Sequence, residues 1–370
     1  MGYEVDFLPV GEGEKSGDAI AFRCGNLTGR RDEQFVIVID GGTRESGDAI
    51  VEHIQGIYGT SHVDLVVNTH PDGDHSSGLY RVLEELTVGR LWMHRPWEHS
   101  SDIKHMFDDG TLSNDRLSKK MQKALSDAWE LEKLAKRKGV PISEPFADGE
   151  ANQQYQGIYI LGPTTDYYQS LLPGFRDMPD VKEAVASYFG GGFRAIAKGA
   201  VLLAERVLET WGKETLEDPA DDATSSENNS SAIILLRVED HDLLFTGDAG
   251  VPALERAVNL AESWRFSLPN CAFQQMPHHG SRRNVGPTLL NRLLGPKLAS
   301  QGAASKTVFV SAAKEAPKHP ARKVVNAYMR RGAKVLATQG VGIRHHFKAG
   351  SRAGWVAATP LSFSHEVEED

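Results

Sequence analysis

The stretch His70-Pro71-Asp72-Gly73-Asp74-His75 decides the fold and the chemistry of this chain. It directly follows the apolar run 63–69, which predicts a buried strand, and it precedes a helical pattern that begins near Gly78. A tight turn can direct two histidines and two aspartates at one or two cations, and Gly73 allows backbone angles that a residue with a Cβ resists. The alternative is a polar turn whose carboxylates cap the next helix. Histidines that bracket two aspartates favour half of a metal site.

The composition is that of a globular protein with a sizeable core. The chain has 370 residues, of which 40% are hydrophobic, enough for one large domain or two ordinary ones. Its two cysteines, Cys24 and Cys271, are far apart and form no C-x-x-C pattern, which favours a reducing compartment. The N-terminus lacks a basic region followed by an apolar core, and no apolar run approaches the roughly 18 residues of a membrane span. These features predict a soluble cytoplasmic protein with no membrane association.

The charge is distributed unevenly along the chain. The formal net charge is -9, but the segment from Arg282 to Arg352 holds fifteen lysines and arginines against one acid, Glu315. This basic C-terminal third therefore carries +14, and the rest of the chain carries -23. Such asymmetry predicts a surface that binds a polyanion, most simply a nucleic acid. A solvated basic face that only keeps the protein in solution is the alternative.

Strands and helices alternate over two parts of the chain, which is typical of the α/β class. The first part runs from Tyr3 to His94, and the second begins at Ala232. Ser46 is predicted to cap the first helix, which continues to about Tyr58.

Between these parts the pattern is largely helical. Helical periodicity extends over 116–139 and 178–212, around a returning strand near Tyr155. We therefore predict a single domain over 1–370 with a largely helical insertion over 95–226.

Metal-capable residues recur at the ends of three predicted strands. They are the 70–75 loop, Asp248 and the pair His278-His279. Because α/β proteins place their sites where strands end at one edge of a sheet, these distant clusters can meet. Taken singly, Asp248 fits a turn aspartate and His278 fits a hydrogen-bonded core histidine, but together they favour the second half of the metal site.

A series of ordered motifs resembles the metallo-β-lactamase-fold hydrolases, and specifically the soluble hydrolase domain of ComEC-type DNA-uptake proteins. The resemblance covers most of the chain. Its elements are Phe7 to Gly11 with Gly17 to Ile20, Ile39 to Gly42, Thr69 to His75 with Gly78-Leu79, Leu161 to Pro163, Asn228 to Ser231, Leu244 to Asp248, Pro277 to Ser281, and His319-Pro320.

The resemblance implies an αββα four-layer sandwich whose sheet edges hold one or two metal ions. It assigns His70 and Asp72 to the first ion and Asp74 and His75 to the second, with Asp248 as the bridge. It implies that His278 completes the second ion and that His279 lies near the substrate oxygen, but the sequence does not decide which histidine faces the metal.

Two departures from the wider superfamily bear on the metal. Asp72 stands where a histidine is usual, and the segment 228–231 replaces the usual third-motif histidine. The first site is therefore richer in oxygen ligands than a zinc site of three histidines. Oxygen ligands favour manganese and magnesium. The expected cofactors are therefore two divalent ions, zinc or manganese, with magnesium possible.

The ions that the resemblance implies would support a hydrolytic mechanism. A water that bridges two divalent cations has a lowered pKa, and the hydroxide it forms can attack a phosphoryl group. Asp74 is predicted to orient this water and accept its proton. His319, with Lys318 beside it, is predicted to act on the leaving oxygen, unless it is only a surface residue at the start of a helix.

Three further residues are assigned supporting roles. Asn229 and Ser230 are candidates to bind a substrate phosphate, and the alternative is a turn that precedes a strand. Asp40 is predicted to orient a ligand histidine through the ring nitrogen that does not face the metal.

The resulting prediction is a metal-dependent phosphodiesterase or nuclease that acts on DNA or RNA. The alternatives are a hydrolase of small molecules, such as a cyclic nucleotide, another phosphoester or a lactone, and a binding protein that holds ions without turnover. ComEC proteins couple this domain to a membrane channel, which this chain lacks, so we expect a free-standing hydrolase. A protein partner and the oligomeric state stay open.

Overall fold

Two β-sheets pack face to face, and helices cover the outer face of each. The computed structural model describes residues 1–11, 13, 16–183, 185 and 206–369. The strands are β1 (Gly2–Phe7), β2 (Ala19–Gly25), β3 (Gln34–Gly41), β4 (His62–Val63), β5 (Leu65–Asn68), β6 (Thr87–Val88), β7 (Leu91–Met93), β8 (Ile142–Ser143), β9 (Ile158–Gly162), β10 (Arg206–Leu208), β11 (Ile233–Val238), β12 (His241–Phe245), β13 (Phe273–Gln275), β14 (Lys306–Val310), β15 (Ala333–Ala337), β16 (Ile343–Phe347) and β17 (Glu366–Glu368).

The helices flank these strands in sequence and in space. They are α1 (Arg44–Gly56), α2 (Gly73–Glu85), α3 (Ser100–Ile103), α4 (Asn114–Ala124), α5 (Ser126–Lys138), α6 (Thr165–Leu171), α7 (Ser226–Asn229), α8 (Val251–Ser263), α9 (Pro287–Leu294) and α10 (Arg322–Arg330). Among the described residues, no helix is both long enough and apolar enough to cross a lipid bilayer.

The strand order places equivalent strand ends side by side. The first sheet has the order β16-β1-β2-β3-β5-β7-β8, and the second has the order β15-β14-β13-β12-β11-β9. In the first sheet β3, β5 and β7 are mutually parallel neighbours, and in the second sheet β12, β13 and β14 are. The carboxyl ends of parallel strands lie at one edge, so the loops that follow them are neighbours.

Strand β3 shows why the core has separate layers. Val36 and Val38 point towards α1 and α2, whereas Ile37 and Ile39 point into the space between the sheets. A strand that is covered on both faces reads as a continuous apolar run because successive side chains alternate between the faces.

A second apolar layer between β11–β14 and helices α8, α9 and α10 completes the arrangement. The predicted αββα sandwich is confirmed.

The first helix begins earlier than predicted. Thr43, not Ser46, is the N-cap, and its side chain accepts a hydrogen bond from the Ser46 backbone N–H at 3.4 Å. Gly42 has a φ of 63°, a left-handed angle that suits glycine, so the chain turns directly after β3. Ser46 therefore falls within the first helical turn, where it is buried.

The described parts of 95–226 contribute to both sheets. Strand β8 extends the edge of the first sheet and β9 the edge of the second, while α4 and α5 join the apolar layer on α2. Most of the helix predicted over 178–212 lies outside the described residues. Its end differs from the prediction, because Arg206–Leu208 forms β10, which pairs antiparallel with β17. The status of 95–226 as an insertion stays a prediction.

A buried ion pair joins Arg352, in the segment after β16, to Asp6 of β1. Asp6 is fully buried, and Arg352 donates to both of its carboxylate oxygens, each at 2.7 Å. Tyr58 donates to the same carboxylate at 2.6 Å, and the His53 ring nitrogen Nε2 lies 3.1 Å from it. Burial raises the pKa of Asp6, but His53 and Arg352 outweigh burial and lower the pKa below its usual value.

This lowered pKa predicts acid sensitivity. A carboxylate with a depressed pKa in the folded state stabilises the protein fully above its unfolded pKa of 3.8, and the contribution is lost as the pH falls below that value. In Asp6→Asn we expect the dependence of unfolding free energy on pH below about 4 to become shallower. Urea unfolding of both proteins between pH 2.5 and 6 measures the slope. The exposed Asp115→Asn variant serves as control, and identical slopes for Asp6→Asn and the parent protein would contradict the prediction.

Candidate metal centre

The predicted clusters meet at the edge where β3, β5, β12 and β13 end. The 70–75 loop follows β5, Asp248 follows β12, and His278-His279 follows β13. Asp248 lies at the centre, because one of its carboxylate oxygens, Oδ2, faces four histidines. The distances from this oxygen to Nε2 are 3.9 Å for His70, 3.5 Å for His75, 3.7 Å for His278 and 3.8 Å for His279.

Asp40 fixes the orientation of His75. The His75 Nδ1–H donates to Asp40 Oδ2 at 2.8 Å, so Nε2 faces Asp248. Thr69 donates to both Asp40 oxygens, from its backbone N–H at 2.7 Å and from its hydroxyl at 2.6 Å. A carboxylate behind a histidine is the usual support of a metal-binding imidazole, and the geometry agrees with the predicted role of Asp40.

The Thr69 hydroxyl, which binds Asp40, also orients His70. Its Nδ1 lies 3.0 Å from the Thr69 hydroxyl oxygen, which can accept the Nδ1–H while it donates its own proton to Asp40. Nε2 of His70 is then left to face Asp248. One short network thus directs two histidines at one point.

The consecutive histidines are held in an uncommon backbone conformation. His278 and His279 have φ angles of 45° and 55°, in the left-handed region that residues with a Cβ rarely adopt. Nδ1 of His279 donates to the Ser311 carbonyl at 3.2 Å, and Nδ1 of His278 donates to Asn284 Oδ1 at 2.9 Å. Both rings therefore direct Nε2 at Asp248, although His279 is buried and the His278 side chain is 32% exposed.

Several buried polar atoms in this cluster have no hydrogen-bond partner among the described residues. They are Nε2 of His70, His75 and His279, and Oδ1 of Asp248. Unpaired buried polar atoms are rare, and each calls for an explanation. Two ligands of one zinc ion lie roughly 3–4 Å apart, which matches the separations around Asp248. The residues therefore fit a divalent cation.

The two aspartates of the 70–75 loop flank the histidines. Ligand atoms of Asp74, His75 and His279 lie within 4.8 Å of one another. Asp72 Oδ2 lies 3.7 Å from His70 Nε2, and Oδ1 of Asp72 contacts the guanidinium of Arg176. The loop therefore places both nitrogen and oxygen atoms where a cation could bind.

Burial and neighbouring charges shift the pKa values of the ionisable groups in this cluster. Burial by itself raises the pKa of Asp248, but His278, His75 and His279 hold it well below its usual value. Burial lowers the pKa of His75, whereas Asp248 raises it well above the usual value. Burial also lowers the pKa of His279, to about 3. At neutral pH these shifts leave Asp248 ionised and His279 neutral, the protonation states that bind a cation, whereas His75, whose pKa is raised, must lose a proton before Nε2 can bind one.

The sequence that builds this centre is similar to a known protein family. The family model of the metallo-beta-lactamase superfamily matches residues 30–297. The chain belongs to the metallo-β-lactamase superfamily. It is therefore placed among metal-dependent hydrolases, the class predicted from its sequence.

A crystal structure of a long form RNase Z from yeast is similar to this superfamily member at 10% sequence identity, with a TM-score of 0.32. The similarity covers 83% of this chain and 36% of the yeast chain, so this chain spans about a third of that protein. No curated protein matches the chain.

Asp18 belongs to the centre of this metallo-β-lactamase-fold chain but received no role from the sequence. It is buried, and ligand atoms of Asp18, Asp248 and His279 lie within 4.8 Å of one another. Gln275 donates to Asp18 Oδ2 at 2.7 Å. Burial raises the pKa of Asp18 to about 7. The available signal was an aspartate directly before an apolar strand, within a motif that carried the resemblance.

The predicted substrate residues Asn229 and Ser230 are engaged by the backbone instead. Asn229 donates to the Thr224 carbonyl at 3.2 Å and accepts from the Gly250 N–H at 3.2 Å. The Ser230 hydroxyl donates to the Glu227 carbonyl at 2.6 Å. Both side chains are buried, so the geometry favours a structural role that supports the loop after Asp248 over contact with a substrate.

His319 lies on the exposed side of the centre. Its ring stacks on that of His278 with the centroids 6.3 Å apart, and Lys318 beside it is exposed. Burial lowers the pKa of His319 to about 4. The structure thus brings His319 next to the metal-facing residues.

Several cations of the basic C-terminal third form ion pairs within the described protein. These cations contact acidic residues of other segments, and several are buried. The pairs are Arg292 with Glu262, Lys297 and Arg331 with Glu214, Arg330 with Glu209, Arg344 with Glu4, Lys348 with Glu239, and Arg352 with Glu4 and Asp6. The buried pairs of Arg330, Arg331, Arg344 and Arg352 therefore support the fold, whereas the pairs of Arg292, Lys297 and Lys348 lie at the surface.

Proposed function

We propose that the protein is a metal-dependent phosphodiesterase that cleaves DNA or RNA. The observation that carries the proposal is the convergence of four histidine Nε2 atoms on the Asp248 carboxylate, with two further aspartates in the adjoining loop. Bound divalent ions lower the pKa of water and neutralise the charge that develops on a phosphoryl oxygen.

The proposed ligand sets share Asp248. His70, Asp72 and His278 hold one ion, and Asp74, His75 and His279 hold the other. This assignment moves His279 from the substrate to the second ion, because its buried Nε2 has no hydrogen-bond partner within the described residues. It moves His278 to the first ion, where it takes the place of the histidine that the third motif lacks.

Two residues of the chain are proposed to act on the reactants. Asp74 is partly exposed and lies within the second ligand group, so it can orient water and accept a proton. His319 is stacked on His278 at the exposed side, where it can donate a hydrogen bond to the leaving oxygen.

Exposed cations beside the centre support a polyanionic substrate. Arg283 and Lys318 are exposed, and within the described part of the chain neither side chain makes an ion pair or a hydrogen bond. Arg283 lies four residues after His279, and Lys318 directly precedes His319. Phosphate contacts dominate the affinity of proteins for nucleic acids. Together with the ComEC-type motifs, these cations favour DNA or RNA as the substrate.

A small-molecule phosphoester is the second candidate. Residues from 95–226 reach the 70–75 loop, since Arg176 contacts Asp72 and a Cβ added at Gly73 would lie 2.6 Å from Asp127 Oδ2. Because these residues contact the 70–75 loop, they occupy space beside the centre, which favours a small substrate over a strand.

The test combines metal analysis with a cleavage panel. We expect the purified protein to bind zinc or manganese and, when loaded, to cleave linear DNA, circular DNA or RNA, with His75→Ala inactive. Cleavage of cyclic nucleotides alone would favour the second candidate. A fully loaded protein that leaves every phosphodiester intact would overturn the proposal.

A further inference from the structure

Arg176 is a cation held against a residue of the metal loop. Its guanidinium contacts Oδ1 of Asp72, while Oδ2 of the same carboxylate lies 3.7 Å from His70 Nε2. The Arg176 side chain is 44% exposed, so it reaches solvent as well as the centre.

Glu227 anchors Arg176 at this position. Its Oε1 accepts from the Arg176 backbone N–H at 2.6 Å and from the Nε–H at 3.2 Å. The Glu227 side chain is 8% exposed, and Glu227 lies within α7, directly before the buried residues 228–231. The anchor leaves the outer guanidinium nitrogens directed at Asp72 and solvent.

We propose that Arg176 changes partner when the centre is loaded, from Asp72 to an anionic oxygen of the substrate. The statement that Arg176 binds the substrate rests on the proposed function. The statement that metal binding releases Arg176 from Asp72 does not. A divalent cation and a guanidinium compete for one carboxylate, because both draw on the same negative charge. An ion bound at Oδ2 of Asp72 withdraws charge from the carboxylate and repels the guanidinium at Oδ1, so the pairing with Arg176 weakens while Arg176 stays tethered to Glu227.

A released guanidinium suits a phosphate group. Its planar fork donates two parallel hydrogen bonds to a phosphate, and such charge-assisted bonds are about twice as strong as neutral ones. Arg176 is therefore a substrate-binding residue in the loaded protein and a competitor of the metal in the empty one.

The first arm of the test measures metal binding without any substrate. In Arg176→Gln we expect the weaker of the two metal-binding steps to tighten severalfold in a calorimetric titration with Mn²⁺, because the competing charge is gone. Arg137→Gln, at an exposed arginine on α5, should bind metal like the parent protein. Weaker or unchanged metal binding by Arg176→Gln would overturn the partner exchange.

The second arm uses inorganic phosphate as the probe. We expect the loaded Arg176→Gln protein to bind phosphate roughly tenfold more weakly than the parent, and Arg176→Lys to fall between them because lysine keeps the charge without the fork. With a phosphodiester that the parent cleaves, we expect Arg176→Gln to raise KM by a larger factor than it changes kcat. Equal phosphate affinities would overturn the statement that Arg176 binds the substrate.

The arms separate failure of this inference from failure of the proposed function. A parent protein that cleaves no phosphodiester would refute the proposed function, yet both titrations would still report on Arg176. Cleavage by the parent with unaltered titrations in Arg176→Gln would refute only the inference.

Discussion

We expect Asp248→Asn to lose most of its bound metal and at least roughly 1,000-fold of its hydrolytic rate. Asp248 Oδ2 is the atom on which His70, His75, His278 and His279 converge, at 3.5 to 3.9 Å. Asparagine keeps the shape of the side chain but removes the negative charge shared by the two proposed ions. Loss of several kcal/mol of metal-derived stabilisation corresponds to a rate decrease of this order.

Metal content measured by mass spectrometry after dialysis checks this result independently of any substrate. The matched control is Asp240→Asn, an exposed aspartate in the turn between β11 and β12, which should keep the parent stoichiometry. Folding of Asp248→Asn is verified by its near-ultraviolet circular dichroism. A folded Asp248→Asn protein that retains two tightly bound ions would exclude Asp248 as the bridge.

We expect Arg330→Met to lower the free energy of unfolding by about 3–5 kcal/mol. Arg330 and Glu209 are both fully buried, and they pair at 2.7 Å. The guanidinium also donates to the carbonyls of Trp211 at 3.0 Å and Lys213 at 2.9 Å. Methionine fills much of the volume but leaves a buried carboxylate without its cation, and an uncompensated buried charge is strongly destabilising.

Urea unfolding measures the loss. The control is Arg206→Ala, whose partner Glu366 forms an exposed pair with it, and exposed pairs contribute within roughly 1 kcal/mol. The double variant Arg330→Met with Glu209→Gln should recover part of the loss because the unpaired charge is removed. Equal stabilities of Arg330→Met and Arg206→Ala would contradict the argument.

The sequence identified the centre because its ligands lie at strand ends. An apolar run followed by a turn with several charged or imidazole side chains is a local pattern, readable over ten residues. Three such patterns predicted that the 70–75 loop, Asp248 and His278-His279 come together, and the structure brings them together around Asp248. The α/β class followed from the alternation of strands and helices, and the αββα sandwich followed from the resemblance.

The role of each consecutive histidine needed the structure. The sequence shows two equivalent residues, His278 and His279, and they differ in their hydrogen-bond partners and in exposure. Ser311, 32 positions away, binds one ring, and Asn284 binds the other. Which hydrogen bonds form depends on the packing of β13 against β14, which no local pattern encodes.

The partners of the basic C-terminal third also needed the structure. A charge count cannot show that Arg330 meets Glu209 from 121 positions away, or that Arg352 meets Asp6 across 346. Four of these cations, Arg330, Arg331, Arg344 and Arg352, are buried in ion pairs, and polyanion binding by the exposed ones stays a prediction.

The sequence by itself determined the candidate metal-binding loops and the α/β class, because both depend on side chains spaced along single strands and turns. Only the tertiary structure decided the place of Asp18 in the centre, the pairing of β16 with β1 and the contact between Arg176 and Asp72. These features join segments far apart in the chain, and their energies depend on burial and distance, which exist only once the chain has folded.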